Sequence, residues 1–172
     1  FQTALLAYKR AETNAQTPSQ RDELQLLQAK TLLSMRQDVA AVTLLARLAE
    51  VPDPKVVAPA LGLLGSTKLK QGDHKYGLAL LQRAVEWRGN SEWPGRAEAQ
   101  ADLGLAYLMN GDEVNGLRCL HEAQSSLEKE GASDMLTQCL VNEAHYLDRT
   151  DKKDQAARVQ EKINRVQVAA NP

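Results

Sequence analysis

The side chains best equipped for chemistry are few and poorly assembled: Cys119, His121, Glu122, Cys139 and His145. A zinc-protease helix needs a second histidine one turn beyond a His-Glu pair, and His121-Glu122 has none. Cys119 with His121 likewise lacks the second pair of ligands that a tetrahedral metal site requires. Cys139 and His145 fall about two helical turns apart, too far for the imidazole to activate the thiol without help from another element. The glycines sit at turns between helix-like runs, not in a strand-to-helix loop that could cradle phosphate. No catalytic residue, metal site or cofactor is expected, and the thiols read as small buried hydrophobes. Trp87 and Trp93 bracket Arg88-Gly89-Asn90. Each ring either fills a gap between helical pairs or anchors a partner, and the first is the expectation.

The elements that must position these side chains are helical. Lys and Arg number 21 against 22 Asp and Glu, so no strong field exists to recruit nucleic acid or an anionic membrane. Aromatics make up 4%, and the chain is dominated by residues that lose little on entering a helix. An all-α chain of 172 residues is long enough for one domain, burying about 70% of the surface of its unfolded form. No apolar run approaches the ~20 residues of a membrane span. Two cysteines without a disulfide pattern suit an intracellular, cytoplasmic setting. Opening at Phe1 without a leader, the sequence is expected to be a processed product or an excised piece, with any targeting segment removed.

Turn chemistry recurs at Pro18-Ser19-Gln20, Arg36-Gln37-Asp38, Pro52-Asp53-Pro54, Gln71-Gly72-Asp73, Gly89-Asn90, Asn110-Gly111-Asp112, Glu130-Gly131 and Thr150-Asp151. Between these lie stretches of about 14 to 20 residues with apolar positions three and four apart, predicting about eight or nine antiparallel helices. A small residue, a large one four on and a small or apolar one three further recurs as Ala4/Tyr8/Ala11, Ala41/Leu45/Leu48, Gly77/Leu81/Ala84 and Gly116/Leu120/Ala123, with a weaker copy at Ala156. Small residues on the preceding run, Ala29, Gly65, Gly104 and Ala144, complete every copy after the first. Helices cross closely only where bulk is missing, so this spacing is a packing requirement.

Leu103-Gly104-Leu105-Ala106-Tyr107 through Gly111, followed by Gly116, Leu120 and Ala123, resembles the tetratricopeptide repeat (TPR) pattern nearly in full. Leu64-Gly65, Gly72, Gly77, Leu81 and Ala84 resemble it too, with Lys68 in place of the usual aromatic. The copies stand about 36–40 residues apart rather than ~34, similar to the longer variants of motor-protein light chains and signalling adaptors. The resemblance implies a right-handed superhelical array of antiparallel helix pairs forming a single repeat domain over 1–172. Residues 1–16 would be the second helix of a truncated repeat, followed by pairs at 20–51, 55–88, 93–130 and 133–168. The last pair would also cap the array, because only Ala156, Val159, Ile163 and Val166 make an apolar stripe between Lys152 and Val168. Ala169 to Pro172 should fray.

In such an array, function is implied on the concave surface lined by the first helix of each pair. Carried over position by position, the inner residues are Leu26, Lys30 and Leu33; Gly62, Ser66, Leu69 and Lys70; Ala101, Leu105, Leu108 and Met109; and Val141, His145 and Arg149. The family members that clamp a terminal carboxylate use several Lys, Arg and Asn there. With Leu26 and Ala101 at inner positions and no Asn in the set, a chaperone-tail clamp is not expected. The expected function is a non-catalytic scaffold or adaptor gripping an apolar-striped, acidic protein or peptide through Lys30, Leu33, Ser66, Leu69, Lys70, Leu105, Leu108, Met109, His145 and Arg149. The alternative is a structural segment that self-associates end to end through an exposed face of Ala4, Leu5 and Tyr8. In a second alternative for the groove, Leu105, Leu108 and Met109 are covered by a neighbouring helix of the same chain.

Overall fold

The computed structural model describes residues 1–87, 93 and 95–170. The expected turn at Gly89-Asn90 lies outside the described residues. Among those described, every regular element is an α-helix: α1 (Gln2–Thr13), α2 (Pro18–Ser34), α3 (Asp38–Leu48), α4 (Pro54–Lys70), α5 (His74–Val85), α6 (Arg96–Met109), α7 (Glu113–Glu130), α8 (Ser133–Arg149) and α9 (Lys153–Ala170).

Local chemistry explains where they start and stop. Pro18 and Pro54 stand in the first turns of α2 and α4, where a missing N–H is harmless, and Thr17 and Asp53 accept a backbone N–H from Gln20 and Lys55. Asp73 and Asp112 cap α5 and α7 in the same manner. Four hairpins turn on the same device, a left-handed residue just past the first helix, at Arg36, Gly72, Gly111 and Asp151. The next N–H then closes back on the helix, from Gln37 to the Leu32 carbonyl, Asp73 to Lys68, Asp112 to Tyr107 and Lys152 to Leu147, at 2.9–3.0 Å.

The chain divides into two compact units, Phe1–Arg96 and Ala97–Pro172. In the first, α1 packs on α2, α2 pairs with α3, and α4 packs against both of them before pairing with α5. Leu26, Ala29, Ala41, Leu45, Leu48, Leu61, Leu64 and Leu81 form much of its core. Each fully buried leucine contributes about 1.5–3 kcal/mol. None of α1 is buried. Its Ala4, Leu5 and Tyr8 are half-buried, on the side that carries Glu12 to Gln25 and Gln28 of α2. This corrects the expectation of an exposed Ala4-Leu5-Tyr8 face. The exposed apolar residues here are instead Phe1, just before α1, and Leu6, Ala7 and Ala11 on it.

In the second unit α6 and α7 cross at Gly104 and Gly116, α8 packs on α7, and α9 packs on α8. Leu108, Leu120, Ala123, Leu127, Leu136, Cys139, Leu140 and Leu147 share one cluster with Val159 and Ile163 of α9. Among the described side chains of α9 those two are the buried ones, and most of the others are polar and exposed.

Candidate functional site

Within the second unit, α6 and α8 run beside an open cleft of about 370 Å³. Leu105, Leu108 and Met109 line it from α6, and Asn142, His145, Tyr146 and Arg149 from α8, with Thr150 at the end. Helical periodicity brings them together: 105, 108 and 109 share one face of α6, while 142, 145, 146 and 149 share one face of α8. Leu105 is half-buried and Met109 is 52% exposed, so apolar surface is open to solvent. Leu108 serves two purposes. It borders the cleft but is only 5% exposed, because its terminal carbons lie against Gly116. The helix that covers it is α7, the adjoining helix of the same hairpin, and Met109 escapes that cover.

None of the lining residues is acidic. Glu113 at the start of α7 comes near, accepting a hydrogen bond from Tyr146 Oη at 3.3 Å, but it is paired with Lys152. Lys152 holds the Glu113 carboxyl below its ordinary range, while burial and then Glu113 push the Tyr146 phenol up. The local charge left facing the cleft is the Arg149 guanidinium. The stretch Asp148 to Asp154 is thus more than the solvated turn its alternating charges suggest, since Lys152 is half-buried and ties α9's start to α7.

A second polar cluster joins α7 to α8. Glu143 is 4% exposed and accepts from Gln124 Nε2 at 2.5 Å, with His121 Nε2 at 2.9 Å from its other oxygen. His121 is therefore turned toward a carboxylate, not toward Cys119. Burial pushes Cys139 up to about 12 and raises Cys119, which disfavours the thiolate form of each. Cys139 Sγ lies 3.7 Å from the Leu120 carbonyl as a weak donor. Among the described residues, no group of three or more His, Cys, Asp or Glu could hold a metal.

The remaining inner-surface residues belong to the first unit. Lys30 and Leu33 are half-buried on α2; Ser66 is half-buried and Lys70 exposed on α4. Leu69 is buried, its backbone packed on Gly77, and offers nothing to a ligand. His145 is exposed and Cys139 buried. Trp93 is buried, and the indole N–H groups of both Trp93 and Trp87 are enclosed, which fits gap-filling better than an exposed anchor. Sequence reasoning missed Glu143, Gln124, Asn142 and Tyr146. The signal for Glu143 was present: it lies on the stripe of Leu136, Leu140 and Leu147, three or four residues from each neighbour.

No protein-family model matches the chain, and no curated protein does. Solved structures do. MamA superposes with a TM-score of 0.67 at 18% identity, covering 96% of this chain and 88% of that one. A putative kinesin light chain with nearly identical TPR-like repeats from Podosopora anserina gives 0.62 at 17% identity, over 99% and 96%. BtubC (BKLC) from P. vanneervenii gives 0.54 at 13% identity, over 99% and 89%. The chain has a TPR-like repeat fold. No described helix of this TPR-like chain is long and apolar enough to cross a membrane.

Proposed function

We propose that this TPR-like chain is a protein-interaction scaffold, not a catalyst, and that the α6–α8 cleft holds a partner segment carrying an apolar side chain beside an acidic one. The observation that carries this reading is the lining itself: exposed Met109 and half-buried Leu105 next to Arg149, with no acidic group in the wall. An apolar side chain fills the floor, and a carboxylate makes a charge-assisted bond to Arg149, roughly twice as strong as a neutral one. Lys30, Leu33, Ser66 and Lys70 form a separate contact set on the first unit. Residues 1–172 act as one repeat domain, in the cytoplasm, where free thiols such as Cys119 and Cys139 persist.

Selection from a random peptide library tests it. Ligands should be enriched in acidic residues next to a large apolar one. Leu105→Glu or Met109→Glu should weaken them by about 1–3 kcal/mol without loss of helicity. Arg149→Ala should mainly slow association and reduce its salt dependence. Ligands that bind all three variants normally would refute the cleft. A second reading, self-association, is favoured by the exposed apolar residues of α1.

A further inference from the structure

The TPR-like chain has a second open surface, formed by its last two helices. In the first unit α4 packs against both α2 and α3. The residues of that pair at 26, 45 and 48 are buried leucines. Matching Ala144 to Ala29 and Ala156 to Ala41, the same positions on α8 and α9 are Val141, Gln160 and Ile163. All three line an open crevice of about 440 Å³, together with Ala144, Ala156 and Ala157. Val141 is 41% exposed there, and Asp148 and Lys153 also line it, Lys153 being paired with Asp151 at 3.3 Å. The crevice is the counterpart of one that, earlier in the chain, receives a helix.

A helix with a free face is present on the same chain. α1 holds α2 with one side, while Leu6 is 58% exposed and Ala7, Lys9, Arg10 and Ala11 are exposed beside it. The charges are complementary. Residues 1–96 carry 13 Lys and Arg against 9 Asp and Glu, and residues 97–172 carry 8 against 13. We propose that α1 of one copy seats in the α8–α9 crevice of a second copy, Leu6 and Ala7 against Val141, Ala144 and Ala157, with Lys9 and Arg10 toward Asp148. Because the two surfaces differ, the contact is heterologous and can be repeated from copy to copy, into a ring where its rotation closes and an open chain where it does not. It rests on the self-association reading and is independent of the α6–α8 cleft.

Sedimentation velocity across a concentration series tests the proposal. The wild type should gain mass with concentration, and added salt should weaken the association. Leu6→Glu and Ala157→Glu each place a charge on an exposed position, so helicity and melting temperature should hold while the association constant falls at least about tenfold. Mixing the two variants should give dimers and nothing larger, because each retains the surface that the other has lost. Met109→Glu should associate like the wild type, which separates this proposal from the peptide-binding reading. A wild type that stays monomeric throughout, unchanged association in either variant, or a mixture that does not pair would overturn it.

Discussion

Gly104 and Gly116 meet where α6 crosses α7, so closely that a Cβ placed on Gly104 would lie 2.9 Å from the Gly116 carbonyl oxygen. The same contact is built at Gly65, where a Cβ would lie 3.1 Å from the Gly77 carbonyl. Backbone atoms cannot retreat as a flexible side chain can. Gly104→Leu should therefore cost about 1–3 kcal/mol through overpacking, read as a lower urea midpoint. Gly104→Ala should also destabilise, although alanine is the better helix former. An unchanged midpoint would place the crossing elsewhere.

Arg36 performs at φ 59° the task that Gly72 performs at φ 86°. A residue with a Cβ pays for the left-handed conformation, whereas glycine adopts it freely. Arg36→Gly should raise stability by about 0.5–1 kcal/mol after the entropy gained by the unfolded chain is deducted. Thermal denaturation measures this, and a lower melting temperature would mean that the Arg36 side chain makes a stabilising contact.

Glu143 with Gln124 has a counterpart of reversed polarity, in which Glu12 of α1 accepts from Gln28 of α2. Because both orders occur in one chain, the pair should be exchangeable. Gln124→Glu and Glu143→Gln should each destabilise, the first more, since it faces two carboxylates in a buried place. The double variant should recover a coupling of about 0.5–3 kcal/mol, obtained from a double-mutant cycle by urea unfolding. Simple additivity would show that the two side chains do not act together.

Stability should fall in acid. Hydrogen bonds from Gln28 and then Gln25 depress the Glu12 carboxyl, and Lys152 depresses Glu113, both below the ordinary value of 4.5. A carboxyl that is more acidic when folded contributes stability that is complete above its unfolded value and disappears as pH falls through its folded value. The loss therefore belongs below about pH 5. Glu12→Gln should flatten the profile in that window when unfolding is followed against pH, and an unaltered slope would refute the assignment.

Thiol reagents should label neither Cys119 nor Cys139 in the native state, since both are buried and burial raises their thiols. Labelling should appear with global unfolding in urea. Rapid native labelling would mean that α7 and α8 separate locally.

The repeat was legible because close crossing restricts residue type: Gly104 before Gly116, Leu120 and Ala123 carries its own packing instruction, and so does the turn at Gly111. These are short-range constraints, and the sequence by itself determined the helices, their pairing and the polar last helix. The burial of Glu143 was a different matter. On a helical stripe it looks like a misplaced charge until Gln124 and His121, from another helix, supply its hydrogen bonds. The TPR resemblance implies that Leu69 and Leu108 face a ligand, yet both are packed against glycines of the partner helix. Met109, one residue on from Leu108, stays open to solvent. Helical spacing specifies a face to within about one residue, or 100° of rotation. Only the tertiary structure decided which side of that boundary a side chain falls on, because burial depends on how closely a second backbone approaches.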